Sequence, residues 1–216
     1  AVMVRMLSED KQEVLPSDFL MQAEKNGQIV HIDKWMLEHA LLELRRQRES
    51  GKNIRFFVPI SGASIQQEDF MLSFCDSLEQ LGAKGSSLTF QISEVNVRSR
   101  IQDIKKLVDA IKRIGCELAV DHFGLLPKGE SLLKHLDADY VKLDASLVSG
   151  IARNAKKQEE VAAIHQMINK SGAKTVATGV EDANSLAILW NVGVNYLQGY
   201  FLQEPSEIIS YDFSHF

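Results

Sequence analysis

Cysteine and proline are scarce in this chain, with 2 and 4 residues among 216. Cys75 and Cys116 are isolated, with no CxxC pair and no histidine at ligand spacing, so we expect two reduced, buried thiols rather than a disulfide or a metal site. Such thiols are typical of cytosolic proteins. Apolar side chains make up 45% of the chain, and this composition predicts a folded domain with one substantial core.

Long apolar runs and an excess of basic residues are also missing. No run approaches the roughly 20 residues that a membrane span needs, and no basic-then-apolar leader is present. We therefore expect a cytoplasmic chain without direct membrane insertion, which leaves a membrane-attached parent protein open. The 24 basic and 29 acidic residues give a net charge of -5, which disfavours long nucleic acid as a partner but not a small anionic ligand.

Strand and helix patterns alternate along the chain. Apolar residues at helical spacing predict an amphipathic helix over 33–47, with its basic end at the C-terminus. Further strands are predicted at 53–60, 86–93, 117–120, 140–143, 175–177 and 194–197, and helices at 66–81, 98–114, 155–171 and 182–191. With an initial strand at 2–7, this order predicts an α/β fold, a TIM-like (β/α)8 barrel in a single domain. The strand count falls short of eight, so we expect at least one N-terminal strand to be missing from the chain.

In such a barrel the functional site lies at the carboxyl ends of the strands. Polar residues interrupt the apolar strands at these ends, and each one alone is compatible with a cap or a rim hydrogen bond. Together they predict a ligand site built from Arg5, the stretch 59–61, Gln91, Glu94, Asp121, His122, Lys142, Asp144, Thr178, Glu181, Gln198 and Gly199.

Four segments of the sequence resemble patterns of the EAL-type cyclic di-GMP phosphodiesterases. DHFGLLPKGESLLKHLDADYVKLDASLV (121–148) resembles DDFGTGYSSL...L..DYLKID.SFV, and TVATGVED (175–182) resembles VVAEGVET. VNYLQGYFLQEP (194–205) and LPSDFLMQAEKNGQIVHIDKWML (15–37) resemble the closing and opening segments of the family. The resemblance covers essentially the whole chain. It implies a barrel of the EAL type, with residues 1–216 as a single EAL-like domain from a larger signalling protein.

In active members, the resemblance implies, carboxylates and an Asn at the strand ends hold two divalent cations that activate a water. Such a pair of Mg²⁺ or Mn²⁺ ions needs several hard oxygen ligands. The matching positions are depleted here, with Ala1 for the Glu of the EAL motif, Pro59 for Asn, Gln91 for Glu, His122 for Asp and Thr178 for Glu. Glu94, Asp121, Lys142, Asp144 and Gln198 are kept. We therefore expect no catalytic Mg²⁺ or Mn²⁺, no metal site and no phosphodiesterase activity.

The positions that would hold the nucleotide are better kept, so the resemblance implies cyclic di-GMP as the ligand. Arg5 is expected to pair with a phosphate or a guanine edge, or else with a rim acid. Asp33 is expected to accept from guanine, or else to be the N-cap of its helix. Phe201 is expected to pack against a base, or else in the core. The full set of expected binding residues is Met3, Val4, Arg5, Pro16, Asp33, Asp121, Lys142, Glu181, Asp182, Gln198, Gly199, Phe201 and Pro205.

These expectations describe a catalytically inactive EAL-like receptor that binds cyclic di-GMP and relays the signal to a protein partner. The tail EIISYDFSHF (207–216) and MVRM (3–6) in place of LLRW suggest the FimX type, a regulator of type IV pilus twitching motility. That resemblance implies a PilZ-domain protein as the partner. Two alternatives stay open: an active phosphodiesterase with an altered metal set, and a protein-interaction module with a vestigial pocket.

Overall fold

A computed structural model describes residues 1–80, 87–206 and 209 of the chain. All of the tail segment 207–216 except Ile209 lies outside these residues. The chain forms two compact units, one of Ala1–Ile92 with Ser99–Glu117 and one of Ser93–Arg98 with Leu118–Phe216. Each unit is described by itself below.

The described elements alternate as the sequence patterns predict. In chain order they are β1 (Met6–Leu7), β2 (Glu13–Val14), α1 (Pro16–Lys25), α2 (Ile29–Glu49), β3 (Phe56–Pro59), α3 (Gly62–Ile65), α4 (Glu68–Gln80), β4 (Leu88–Ser93), α5 (Glu94–Ser99), α6 (Ile101–Arg113), β5 (Glu117–Phe123), α7 (Gly129–Leu133), β6 (Tyr140–Leu143), α8 (Ala145–Val148), a 3-10 turn (Ile151–Arg153), α9 (Ala155–Lys170), β7 (Lys174–Thr178), α10 (Ala183–Val192) and β8 (Tyr196–Gln198).

The first unit is built around a parallel strand pair covered by the long helix α2. Strands β3 and β4 pair in register from Phe56 with Leu88 to Pro59 with Gln91. The apolar stripe of α2 faces the core, and Leu41 and Leu44 are almost fully buried. The helix predicted over 33–47 is therefore confirmed, although it begins four residues earlier, at Ile29.

The second unit contains four parallel strands. Strands β5, β6, β7 and β8 pair with one another in sequence order. Every residue of β6 is buried. This continuous burial is what a strand covered on both faces requires, and it explains why the strand patterns lack clear alternation.

Two predicted elements differ from the structure by more than their bounds. The strand expected at 2–7 is reduced to β1, which pairs antiparallel with β2. Val2 contacts the first unit's parallel pair by donating its backbone N–H to Phe57 O at 2.8 Å. A tight turn diverts the chain at this point, with Lys11 in the left-handed region and its N–H bonded to Ser8 O. The helix predicted at 98–114 is split into α5 and α6, because Arg100 has a non-helical backbone.

Both cysteines are free, as expected from their spacing. Cys116 is buried, and burial raises the pKa of its thiol to about 12, which keeps it protonated and unreactive. Cys75 is half-buried rather than buried. Within the described residues, no helix is long and apolar enough to cross a bilayer.

A buried histidine on α9 links this helix to β7 in the second unit. The amide of Asn169 donates to His165 Nε2 at 3.0 Å, which leaves Nδ1 to donate to Thr175 Oγ1 at 2.9 Å. The His165 side chain is 6% exposed, and burial lowers its pKa. A proton on Nε2 would turn the Asn169 contact as it stands into two facing donors, so this arrangement favours the neutral ring.

We predict that acid destabilises the protein partly through His165. The unfolded imidazole takes up a proton below a pKa of about 6.5, whereas the folded one resists, so the stability that His165 contributes is full above that pH and is lost as the pH falls. Urea denaturation at pH 7.5 and 5.5 should show a smaller acid-induced loss for His165→Gln than for the wild type. The exposed His135→Gln variant is the control and should keep the wild-type dependence. Equal pH dependence in wild type and His165→Gln would contradict the assignment.

Candidate functional site

The polar pair Asp121 and His122 lies in an irregularity of strand β5. The pairing of β5 with β6 shifts register between Val120 and Phe123, and His122 has a φ of 53°. Irregularities of this kind re-aim side chains and are common beside functional sites. As a result Asp121 is buried while the His122 side chain is 67% exposed.

His122 is held between two carboxylates. Its Nδ1 lies 3.1 Å from Asp144 Oδ2, and because a carboxylate only accepts, Nδ1 is the donor. Its Nε2 lies 3.7 Å from Asp121 Oδ2, and its backbone N–H donates to Asp121 Oδ1 at 2.9 Å. The two carboxylates therefore fix both the backbone and the ring of His122.

Asp144 follows the buried strand β6 and is the N-cap of α8. Its Oδ1 accepts from the backbone N–H of Ser146 at 2.9 Å and from the Ser146 hydroxyl at 2.6 Å. Partial burial acts to raise the pKa of Asp144, but the hydrogen bonds from Ser146 and His122 outweigh it, so the pKa lies below its usual range. Asp144 is therefore ionised at neutral pH, with both oxygens engaged.

Lys142 contributes a buried cation to the same group of side chains. Its side chain is 4% exposed, and its Nζ lies 4.0 Å from Asp121 Oδ1. Burial lowers the pKa of Lys142, and the charge of Asp121 acts in the opposite direction. The second unit thus brings together Asp121, His122, Lys142 and Asp144, which we call the rim cluster.

Glu94 is a second buried carboxylate in this unit. Its side chain is 1% exposed, and Oε1 accepts from Arg98 Nε at 2.8 Å, one helical turn away. Oε2 accepts from the backbone N–H of Gly124 at 3.1 Å. Glu94 therefore fixes the chain just after β5, immediately beyond His122.

Thr178 stands at the end of β7, where the resemblance to the EAL pattern expects a glutamate. Its hydroxyl donates to the backbone carbonyl of Leu143 at 2.7 Å. This contact ties the end of β7 to the end of β6 next to Asp144. Thr178 thus supplies a structural hydrogen bond and no carboxylate.

Of the two acids after β7, Asp182 is the N-cap of α10. Its Oδ1 accepts from the backbone N–H groups of Asn184 and Ser185, and Oδ2 accepts from the Ser185 hydroxyl. These hydrogen bonds lower the pKa of Asp182, and the one from the Ser185 hydroxyl has the largest effect. Glu181 is exposed. Both oxygens of Asp182 are engaged in capping, whereas Glu181 is accessible.

The segment after β8 runs close against Val180. Val180 N donates to Gln198 O at 3.1 Å, and Phe201 N donates to Val180 O at 3.2 Å. A β-carbon at Gly199 would lie only 2.1 Å from Val180 O, so this position has no room for a side chain. Phe201 is 49% exposed, which excludes the alternative that it packs in the core. Pro205 is also exposed.

In the first unit, Met3, Val4 and Arg5 precede the β1–β2 hairpin. Met3 is exposed, and Val4 is half-buried. The guanidinium of Arg5 donates to Val4 O at 3.1 Å and lies 3.9 Å from the carboxylate of Glu13 on β2. Arg5 thus contacts an acid, but this acid is the exposed Glu13 of the hairpin and not one of the rim acids named as the alternative partner.

Asp33 has an internal role in the first unit. It lies inside α2 rather than at its start, so the expectation that it is the N-cap of that helix is wrong. Asp33 is buried, and its Oδ2 accepts from Ser61 N at 2.8 Å and from the Ser64 hydroxyl at 2.7 Å. Burial raises the pKa of Asp33, and the hydrogen bonds from the two serines oppose this. Pro16 is the first residue of α1.

Sequence reasoning missed two of these arrangements. The pairing of Glu94 with Arg98 is detectable in principle, because the four-residue spacing places both on one face of a helix. The buried contact of Asp33 with Ser64 spans 31 residues, and no local pattern indicates it. Within residues 1–80, 87–206 and 209, no group of three or more His, Cys, Asp or Glu side chains is arranged to hold a metal ion.

Comparison with known proteins gives a consistent family. The family model of the EAL domain matches residues 1–205. The cyclic di-GMP phosphodiesterase PdeF of Escherichia coli (strain K12) is 26% identical over 208 residues, which are 96% of this chain and 28% of PdeF. The chain spans 24–32% of the length of PdeF and three further curated relatives.

Solved EAL domains have the same fold. The FimX EAL domain from Pseudomonas aeruginosa bound to c-di-GMP has a TM-score of 0.91 and 31% identity, over 97% of this chain and 84% of that one. The PaMucR phosphodiesterase in complex with c-di-GMP has a TM-score of 0.88 and 25% identity, over 93% and 82%. These likenesses confirm the expected TIM-like barrel fold of the EAL type.

We predict that Gly199→Ala destabilises the protein by about 1–3 kcal/mol, the usual cost of overpacking. The added methyl group would displace the Val180 backbone, which bonds to both Gln198 and Phe201. Equilibrium urea denaturation measures the effect. Tyr200→Ala, at the neighbouring exposed position, is the control and should change the free energy of unfolding by less than about 0.5 kcal/mol. A Gly199→Ala variant as stable as the wild type would refute the close approach.

Proposed function

This chain belongs to the EAL domain family, and on that premise we propose that it is a catalytically inactive receptor for cyclic di-GMP. The proposal goes beyond the fold, because the family includes named phosphodiesterases such as PdeF as well as FimX EAL domains. It depends on what the polar residues at the strand ends contact.

One observation carries the proposal: the remaining carboxylates are engaged by the protein's own donors. Asp144 caps α8 and accepts from His122, and Glu94 is paired with Arg98 and Gly124. Two adjacent Mg²⁺ or Mn²⁺ ions take oxygen ligands from several carboxylates at once. The donor set of the described residues does not fit such a centre.

Sequence differences support the same conclusion. Pro59, Gln91, His122 and Thr178 stand where the family pattern has an amide or carboxylate ligand. Thr178 uses its hydroxyl for a backbone carbonyl, and His122 uses Nδ1 for Asp144. We therefore propose that no catalytic Mg²⁺ or Mn²⁺ is bound and that the phosphodiester is not cleaved.

Several binding residues remain suited to a cyclic dinucleotide. The guanidinium of Arg5 is held by one hydrogen bond to Val4 O and by a 3.9 Å contact with an exposed acid, and it can donate two hydrogen bonds to a phosphate or to a guanine edge. Met3 in the first unit and Phe201 in the second each offer an exposed apolar side chain against which a purine can pack. Glu181, Gln198, Gly199 and Pro205 complete the exposed or half-buried candidates.

The other expected binding residues act indirectly in this proposal. Asp33 and Asp182 are engaged in internal hydrogen bonds. Lys142 is nearly inaccessible and sets the charge beside Asp121. The carbonyl of Val4 accepts from Arg5, and Pro16 begins α1.

We further propose a place for this receptor in signalling. The likeness to the FimX EAL domain bound to c-di-GMP supports c-di-GMP as the ligand. From the sequence resemblance to the FimX type we propose that the chain acts in the cytoplasm and relays the bound nucleotide to a PilZ-type protein partner in the control of type IV pili.

We predict metal-independent binding without turnover. In isothermal titration the purified chain should bind cyclic di-GMP equally well with EDTA and with Mn²⁺, since no ligand contact passes through a metal. Incubation with Mn²⁺ and cyclic di-GMP should yield no linear pGpG, with PdeF as the positive control of the assay. Metal-dependent pGpG production would establish the active phosphodiesterase instead. Absence of heat at tens of micromolar ligand would favour the protein-interaction module.

We predict that Arg5→Ala weakens cyclic di-GMP binding by about 1–3 kcal/mol, the scale of a charged hydrogen-bonded pair. Arg45→Ala is the matched control, because it also removes an arginine paired with an exposed glutamate of the first unit. The control should bind as the wild type does. Equal affinities of Arg5→Ala and Arg45→Ala would exclude a direct contact of Arg5 with the ligand.

A further inference from the structure

A lysine outside the rim cluster holds the helix that Asp144 caps. Helix α8 is a single turn, so most of its carbonyls lack intrahelical partners. The ammonium group of Lys157 donates to Ser146 O and to Ser149 O, both at 2.7 Å. Lys157 therefore binds α8 at two points, the carbonyl of its second residue and that of its C-cap.

The position of Lys157 makes this contact informative. Lys157 is the third residue of α9, and its backbone N–H donates to the N-cap Asn154 at 3.1 Å. A cation at a helix N-terminus is opposed by the helix dipole. The two hydrogen bonds to carbonyls of α8 offset that cost. The neighbouring Lys156 lies in the same first turn and is exposed.

Hydrogen bonds continue from Lys157 to the rim cluster. Ser146, whose carbonyl accepts from Lys157, donates through its N–H and hydroxyl to Asp144 Oδ1. Asp144 Oδ2 in turn accepts from His122 Nδ1 at 3.1 Å. The chain of contacts thus runs from the start of α9 to the exposed imidazole.

Helix α8 also touches the chain after β5. A β-carbon at Gly124 would lie 2.8 Å from Leu147 Cδ1, so α8 packs tightly against this glycine. The N–H of Gly124 donates to Glu94 Oε2. A displacement of α8 would therefore move both Asp144, which bonds the His122 ring, and Gly124, which follows His122 in the chain.

We propose that Lys157 is a positioning residue for ligand binding, which clamps α8 and thereby fixes Asp144 and His122 at the strand ends, where the polar residues predict the ligand site. The proposal rests on the proposed receptor function. Lys157 acts through Ser146 and does not touch the ligand. Loss of its charge or length frees α8 and leaves His122 without its fixed partner.

The test uses the full chain and cyclic di-GMP as the probe. Lys157→Met should lower the affinity about 2- to 10-fold, which corresponds to the loss of one net hydrogen-bond contribution. Lys157→Arg, which keeps the charge and can donate to both carbonyls, should restore it to within about 2-fold. Lys156→Met removes the same charge from the same helix turn and should bind as the wild type does. All titrations are run well below the thermal midpoints of the variants.

A second readout does not depend on ligand. The ¹⁵N signals of the His122 ring in the free protein, assigned with His122→Gln, should report a fixed Nδ1–H tautomer in the wild type and in Lys157→Arg, and a tautomer mixture in Lys157→Met. If Lys157→Met does not fold, Ser146→Ala breaks the next contact at an exposed position and should change the same signals.

Three results would overturn the proposal. The first is equal affinity of Lys157→Met and Lys156→Met for cyclic di-GMP. The second is a loss of affinity in Lys157→Met with unchanged His122 signals, because this result would indicate a direct or long-range effect of the charge. The signals could also be identical in wild type, Lys157→Met and Ser146→Ala. Failure of the wild type to bind cyclic di-GMP would refute the receptor function, and the ring signals alone would then decide the role of Lys157.

Discussion

A carboxylate buried at the end of a strand needs a cation or several N–H donors, because an uncompensated buried charge costs several kcal/mol. This requirement organises the second unit. Glu94 is 1% exposed and takes Arg98 and Gly124 as partners. Asp121 lies beside Lys142. Asp144 is less buried and takes Ser146 and His122. Each acid thus has partners from its own chain, and those partners fix the surrounding backbone.

The irregularity in β5 follows from the same requirement. His122 adopts a left-handed backbone, which costs a non-glycine residue roughly 1–2 kcal/mol. Its N–H bond to Asp121 and its ring contact with Asp144 offset this cost. A regular strand would place residues 121 and 122 on opposite faces without bringing the ring to Asp144. The strained backbone is therefore the conformation in which His122 serves two carboxylates, Asp121 through its backbone N–H and Asp144 through its ring.

The sequence predicts the elements of the second unit well, because they are set by local patterns. Strand β6 is an apolar run bounded by polar residues, and its bounds agree with the prediction. Helix α9 is predicted to within one residue at its C-terminus, since Asn154 is a strong cap followed by good helix formers.

Other features depend on contacts that no local pattern encodes. The β1–β2 hairpin depends on Lys11 in a left-handed conformation, which is uncommon for a lysine. Asp33 reads equally well as a cap or a ligand group, and only the approach of Ser61 and Ser64 decides that it is internal. Lys157 looks like any surface lysine at a helix start. Its role emerges only from the carbonyls that α8 turns toward it.

Under the proposed function, the rim cluster has to meet different requirements from those of an enzyme's active site. An enzyme gains rate only from contacts that strengthen in the transition state, and divalent ions supply them at a phosphodiester. A receptor needs only the ground state of its ligand, and its affinity improves when the groups that receive the ligand are already ordered. His122 and Thr178 stand where the family pattern has metal ligands, and they bond to the chain's own oxygens. On this proposal the site has lost the metal ions that would stabilise a transition state and has gained ordered groups that can receive the ligand. On this view the hydrogen bonds that fill the strand ends are what makes a metal-free pocket rigid enough to bind.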